Sequence, residues 1–170
     1  MLFPEISYGN LRKRMSYFAK SGSIKKLCRG VYAKDQYDPL ELSNKLYTPS
    51  YVSFETVLQK AGVTFQYYER IFSASYVTRS FEIDNHTIEY RRIRKEILLN
   101  KQGIEKQGNV MVASPERAFL DAVYLYKNYH FDNLSTLNWN KIMELKDLYE
   151  SRVFLKRVEE YYQIYEEDHV

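Results

Sequence analysis

Ser21-Gly22-Ser23-Ile24-Lys25-Lys26-Leu27-Cys28-Arg29-Gly30-Val31-Tyr32-Ala33 is the stretch on which the reading of this chain turns. It is too short, and too β-branched at its end, for a helix, so it reads as a small hairpin with Gly30 where the backbone must bend. Ser21-Gly22 marks the stop of a preceding helix, because glycine tolerates the left-handed conformation just past a C-terminus. That helix runs from Tyr8 to about Lys20: Leu11, Met15, Phe18 and Ala19 recur at helical spacing, and Ser7 is its N-cap. At about 100° per residue these apolar positions share one face, while Gly9, Asn10, Lys13, Ser16, Tyr17 and Lys20 point away from it.

The outward face carries the residue types that a helix in the DNA major groove uses: Lys and Asn reach base edges, Ser and Tyr reach phosphates. Alone it is equally an ordinary solvated face. The hairpin that follows at once, bearing Lys25, Lys26 and Arg29, supplies the second half of a winged helix's two-point docking. Charge follows the same division. The whole chain is only +3, but residues 1–32 set Arg12, Lys13, Arg14, Lys20, Lys25, Lys26 and Arg29 against Glu5 alone. Residues 141–170 are acidic, with Glu144, Asp147, Glu150, Glu159, Glu160, Glu166, Glu167 and Asp168 against five bases. A basic end opposite an acidic one points to a nucleic-acid-facing N-terminal region.

Length and composition bound the rest. A chain of 170 residues, 45% hydrophobic and 16% aromatic, suits one domain or two small ones sharing a core, and argues against disorder. The single cysteine, Cys28, permits no intrachain disulfide and no thiolate zinc cluster, which points to a reducing, cytoplasmic setting. No run approaches the roughly 18 apolar residues of a membrane span, and Met1-Leu2-Phe3-Pro4-Glu5 lacks the form of a secretory leader, so neither membrane insertion nor secretion is expected.

Beyond the hairpin, Asp38-Pro39 starts a short helix reaching about Tyr47, Thr48-Pro49-Ser50 interrupts it, and Ser53 is expected to cap a helix from Phe54 to Ala61. Phe72–Val77, Arg79–Ile83 and Thr87–Arg94 are strand-like, with turn residues Asp84-Asn85-His86 between the last two, and Val110–Ala113 suits one more strand. Ser114-Pro115-Glu116 repeats the grammar of cap, proline and acid, opening a helix to about Asn128. Trp139–Tyr149 and Ser151–Tyr165 are helical with polar outer faces. The expected fold is therefore α+β: a winged-helix-like module over residues 1–65, then a small, mostly antiparallel sheet with C-terminal helices over 66–170.

Positive signs of catalysis are lacking. His86, His130 and His169 lie far apart with no metal-ligand spacing, and no phosphate-binding glycine loop or nucleophile elbow occurs, so no catalytic residue, metal or cofactor is expected. Asp121 could orient a partner group, but reads more simply as a satisfied carboxylate on a helix surface or interface. Cys28 reads as a packed thiol. A second basic cluster, Arg91, Arg92, Arg94 and Lys95, follows the strand-like Thr87–Tyr90. Strand alternation puts Arg92 and Arg94 on one face. They serve either as charges protecting an edge strand or as an extension of the wing's positive surface toward flanking DNA or an acidic partner.

Three blocks, taken in order, resemble the AbiEi family of antitoxin-type transcriptional regulators. Gly22–Ala33 resembles that family's wing; Pro49-Ser50-Tyr51-Val52-Ser53-Phe54-Glu55-Thr56-Val57-Leu58 with Ala61-Gly62-Val63 resembles the segment after it; and Ala113-Ser114-Pro115-Glu116-Arg117-Ala118-Phe119-Leu120-Asp121 resembles the strand-to-helix motif of its C-terminal domain. The resemblance implies a cytoplasmic antitoxin that represses its own operon by binding double-stranded operator DNA and counteracts a nucleotidyltransferase-like toxin. Members of the family carry helices before the recognition helix, whereas about seven residues precede it here. The helix and hairpin are then expected to rest on the helices after Asp38 and Ser53 or on a second copy in a homodimer. The alternative reading is a protein-interaction module without independent DNA binding, engaging its partner through the sheet and the acidic C-terminal helices.

Overall fold

In the computed structural model, residues 6–167 are described. The opening Met1–Glu5 and His169 lie outside them. The fold is α+β, and the chain divides into two compact units at Asp38–Pro39. Residues 39–65, which the sequence assigned to the N-terminal module, thus belong to the second unit. The reason lies in a strand the sequence hid: β3 (Ser50–Val52), of which only Ser50 falls in the interruption Thr48-Pro49-Ser50, is fully buried in the middle of the larger sheet.

The first unit contains α1 (Tyr8–Lys20) and a two-stranded hairpin, β1 (Lys25–Cys28) and β2 (Val31–Ala33). Ser7 caps the helix by accepting from the Asn10 N–H at 3.4 Å. Past its C-terminus the Ser23 N–H donates to the Phe18 carbonyl at 3.0 Å and the Gly22 N–H to the Ala19 carbonyl at 3.4 Å. These paired bonds form a Schellman motif and turn the chain sharply from helix into hairpin. The strands pair antiparallel with a bulge between Lys26 and Cys28, and Arg29-Gly30 forms the turn, where Gly30 has φ +83°. None of residues 6–38 is buried.

The second unit holds a six-stranded mixed sheet in the order β5-β6-β4-β3-β8-β7. Its further strands are β4 (Arg70–Ser75), β5 (Arg79–Ile83), β6 (His86–Arg92), β7 (Ile104–Gln107) and β8 (Val110–Ala113). Antiparallel pairings join β3 to β4, β5 to β6 and β7 to β8; parallel ones join β3 to β8 and β4 to β6. The β5–β6 hairpin turns on Asp84 (φ 51°) and Asn85 (φ 66°), two residues that tolerate left-handed conformations. β6 lies between β5 and β4, so its arginines do not protect an edge.

Helices α2 (Pro39–Leu46), α3 (Glu55–Lys60), α4 (Lys95–Leu99), α5 (Pro115–Leu125), α6 (Trp139–Leu145) and α7 (Arg152–Glu167) complete the unit, with a 3-10 turn at Lys146–Tyr149. α5 is the hub. Ser114 caps it by accepting from the Arg117 N–H, and every residue from Glu116 to Val123 is buried, since α3, α6, α7 and β8 all pack on it. A helix buried on all sides belongs to the centre of a core. Phe119 on α5 anchors an aromatic cluster, its ring centroid 4.8 Å from Phe131, 5.7 Å from Trp139 and 5.7 Å from Tyr161. Many of the seventeen tyrosines therefore pack inward.

Gly103, before β7, has φ +71°, and a Cβ there would lie 2.9 Å from Arg117 Cβ and 3.1 Å from Leu145 Cδ1. Left-handed strain and a clash with the hub helix combine at this position. Gly103→Ala is expected to lower unfolding free energy by about 2–4 kcal/mol in urea titrations. Gly30→Ala, whose Cβ would meet nothing within 4 Å, bears only the left-handed penalty and is expected to cost about 1 kcal/mol.

Candidate functional site

Each of the seven residues expected to face DNA is solvent-exposed in the first unit. Lys13, Ser16, Tyr17 and Lys20 occupy one stripe of α1, at spacings of three and four, while Leu11, Met15 and Ala19 are half-buried on the other side. Phe18, expected on the apolar face, is exposed, and its ring meets Tyr17 edge-on at 5.8 Å. Lys25 and Lys26 lie on β1 and Arg29 in the turn. A helical stripe and a hairpin with basic residues, joined by the four residues Ser21 to Ile24, thus form one short continuous piece. Cys28 on β1 is a half-buried free thiol.

The second unit contains a cluster that the sequence did not reveal. Asp121 on α5 is 0% exposed and accepts from three hydroxyls: Tyr51 (3.0 Å to Oδ2), Ser53 (2.8 Å to Oδ2) and Tyr149 (2.7 Å to Oδ1). Arg117, one helical turn earlier and also 0% exposed, lies with Nε 3.5 Å from Asp121 Oδ1. Its Nη2 donates to the Ile97 carbonyl (2.7 Å) and the Tyr51 hydroxyl (3.2 Å), and its Nη1 to the Gln102 carbonyl (3.0 Å). The guanidinium also lies 5.6 Å from the Tyr51 ring centroid and 5.5 Å from that of Tyr149.

Two expectations are corrected here. Ser53 does not cap α3, whose N-cap is Phe54 with φ 54° and no side-chain bond; its hydroxyl turns to Asp121 instead. Asp121 lies on neither a surface nor an interface but at the centre of the core. Burial raises its carboxyl pKa, against the pull of Arg117 and the three donors. Burial and the neighbouring carboxylate push the Tyr51 and Tyr149 hydroxyls well above their ordinary values. Both phenols therefore stay protonated and donate. A serine, a carboxylate and two phenols in one place invite a catalytic reading, yet no member is more than 2% exposed. The group braces five segments of chain from inside the core.

The second basic cluster is split in two. Arg91 is inward: its Nη1 bonds Glu55 at 2.8 Å, its Nη2 lies 3.3 Å from Glu89, and its guanidinium sits 4.3 Å from the Phe72 ring centroid. Arg92 and Arg94 are exposed. Among the described residues, no group of three His, Cys, Asp or Glu is placed to hold a metal ion, and no helix is long and apolar enough to cross a membrane.

No protein-family model matches the chain, and no curated protein matches it in sequence.

Because the cluster's charges are far from water, removing one partner strands the other. Asp121→Ala leaves Arg117 buried without a counterion and is expected to lower unfolding free energy by about 3–5 kcal/mol. Tyr149→Phe, which removes one of several donors to the carboxylate, is expected to cost about 1–2 kcal/mol. Equilibrium denaturation of the two variants checks the order.

Proposed function

We propose that this chain is a DNA-binding, antitoxin-type transcriptional regulator related to the AbiEi family. In this reading α1 lies in the major groove, where Lys13 and Lys20 reach base edges and Ser16 and Tyr17 reach phosphates, while Lys25, Lys26 and Arg29 hold the adjacent backbone. The second unit is the antitoxin body, which counteracts a nucleotidyltransferase-like toxin in the cytoplasm. No catalytic role is assigned to the chain. The observation that carries the reading is the joint exposure of all seven residues on one helix-and-hairpin piece.

A second reading has its own support. None of residues 6–38 is buried, and a lone helix with a two-stranded hairpin has little to stabilise it by itself. This favours a protein-interaction module that binds DNA only when a partner or a second copy steadies the head.

Salt dependence separates the two. Each phosphate contact releases counterions and contributes about 0.9 to the log–log slope of affinity against salt. For the DNA-binding reading, Lys25→Ala/Lys26→Ala/Arg29→Ala is expected to flatten the slope by up to about 2.7, with an unchanged thermal midpoint because exposed charges contribute little to stability. An unchanged slope removes the wing from the interface, and no duplex binding by the unaltered chain favours the second reading.

A further inference from the structure

Two strands that run parallel end at the same edge of a sheet, so the chain leaving each is delivered to one place, and such edges are where open sheets commonly bind ligands. In the second unit β4 and β6 run parallel, with Ser75 opposite Arg92. The Ile93 N–H donates to the Ser75 carbonyl at 3.0 Å, holding the two exits together. Tyr76 leaves β4 there, and Arg92 to Glu96 leave β6. Tyr124 and Leu125, at the end of α5, complete the wall of a groove of about 490 Å³. That volume lies within the range of sites for a single small molecule.

The chemistry of the groove is specific. Arg92, Arg94 and Lys95 are all exposed along it. Among the described residues Arg92 and Lys95 make no ion pair, and Arg94 is held only by exposed Glu96 at 3.5 Å and Glu150 at 3.9 Å. Surface pairs of that kind contribute little and yield readily to a better anion. The neighbouring Arg91 shows the contrast, its charge spent on Glu55 and Glu89. Beside these cations stands Tyr76, 47% exposed, its ring edge-on to Tyr47 at 6.1 Å. Uncommitted cations offer sites for phosphate, and a steadied tyrosyl ring offers a stacking platform for a base.

We propose that this groove binds a phosphorylated nucleoside, with the phosphate on Arg92, Lys95 and Arg94 and the base on Tyr76. The inference does not rest on the DNA-binding reading, which concerns residues 8–33. A free mononucleotide and a nucleotide within a single strand share this chemistry. Isothermal titration calorimetry on the full chain at low salt separates them, using AMP, adenosine, inorganic phosphate and a short single-stranded oligonucleotide. AMP is expected to bind, with adenosine and phosphate each weaker by about tenfold or more, since each lacks one half of the recognition. Arg92→Glu/Lys95→Glu is expected to abolish AMP binding and Tyr76→Ala to weaken it to the level of phosphate, while Tyr76→Phe retains it. All three variants are expected to keep the thermal midpoint. An oligonucleotide that displaces AMP and binds more tightly identifies a strand as the source; one that does not compete identifies the free nucleotide. No binding of AMP, phosphate binding as tight as AMP, or undiminished AMP binding in the charge-reversed variant overturns the proposal.

Discussion

A carboxylate sealed from water has to find its donors inside the protein, and Asp121 sets that requirement for the whole second unit. Three hydroxyls meet it, with a guanidinium as the counter-charge, and they come from separate places: Tyr51 and Ser53 on and after β3, Arg117 on the same helix, Tyr149 in the 3-10 turn. Arg117 in turn donates from its Nη1 and Nη2 to the carbonyls of Gln102 and Ile97, fixing the end of α4 and the approach to β7. Tight passage of Gly103 over Arg117 completes the enclosure. A well-packed apolar group could match such a cluster in stability. What the ionic version adds is direction, since each donor must arrive at one point and in one orientation.

Much of the frame was legible because local signals agreed with the final structure. Ser7 and Ser114 cap the helices their positions announced, Asp84-Asn85 turns the β5–β6 hairpin, and the Arg29-Gly30 turn closes the hairpin read from residues 21–33. Three of the departures share a cause. β3 has three residues, all buried, and is a strand only because β4 and β8 flank it, so no period within it could be read. A reading without β3 puts the domain boundary too late, makes Ser53 a cap and leaves Asp121 on a helix surface or interface. β6 carries arginines of opposite roles in adjacent positions, and alternation does not say which side of a central strand is enclosed.

The seven residues proposed to face DNA stand out for the opposite reason. Exposed side chains keep the identity that chemistry gives them, so basic and hydroxyl residues at helical spacing, followed by a basic hairpin, carry their meaning in the sequence. The two units thus differ in build. The larger one holds a buried polar network and an aromatic core, and the smaller one has no fully buried residue among residues 6–38 and presents its charge outward.

Backbone amide chemical shifts of the full chain, followed during titration with a short DNA duplex, test that division most directly. The account predicts perturbations concentrated in residues 12–33, above all at Lys13, Ser16, Tyr17, Lys20, Lys25, Lys26 and Arg29, with Tyr51, Ser53, Arg117, Asp121 and Tyr149 unmoved. Perturbations centred on the second unit, with residues 12–33 unchanged, would contradict it.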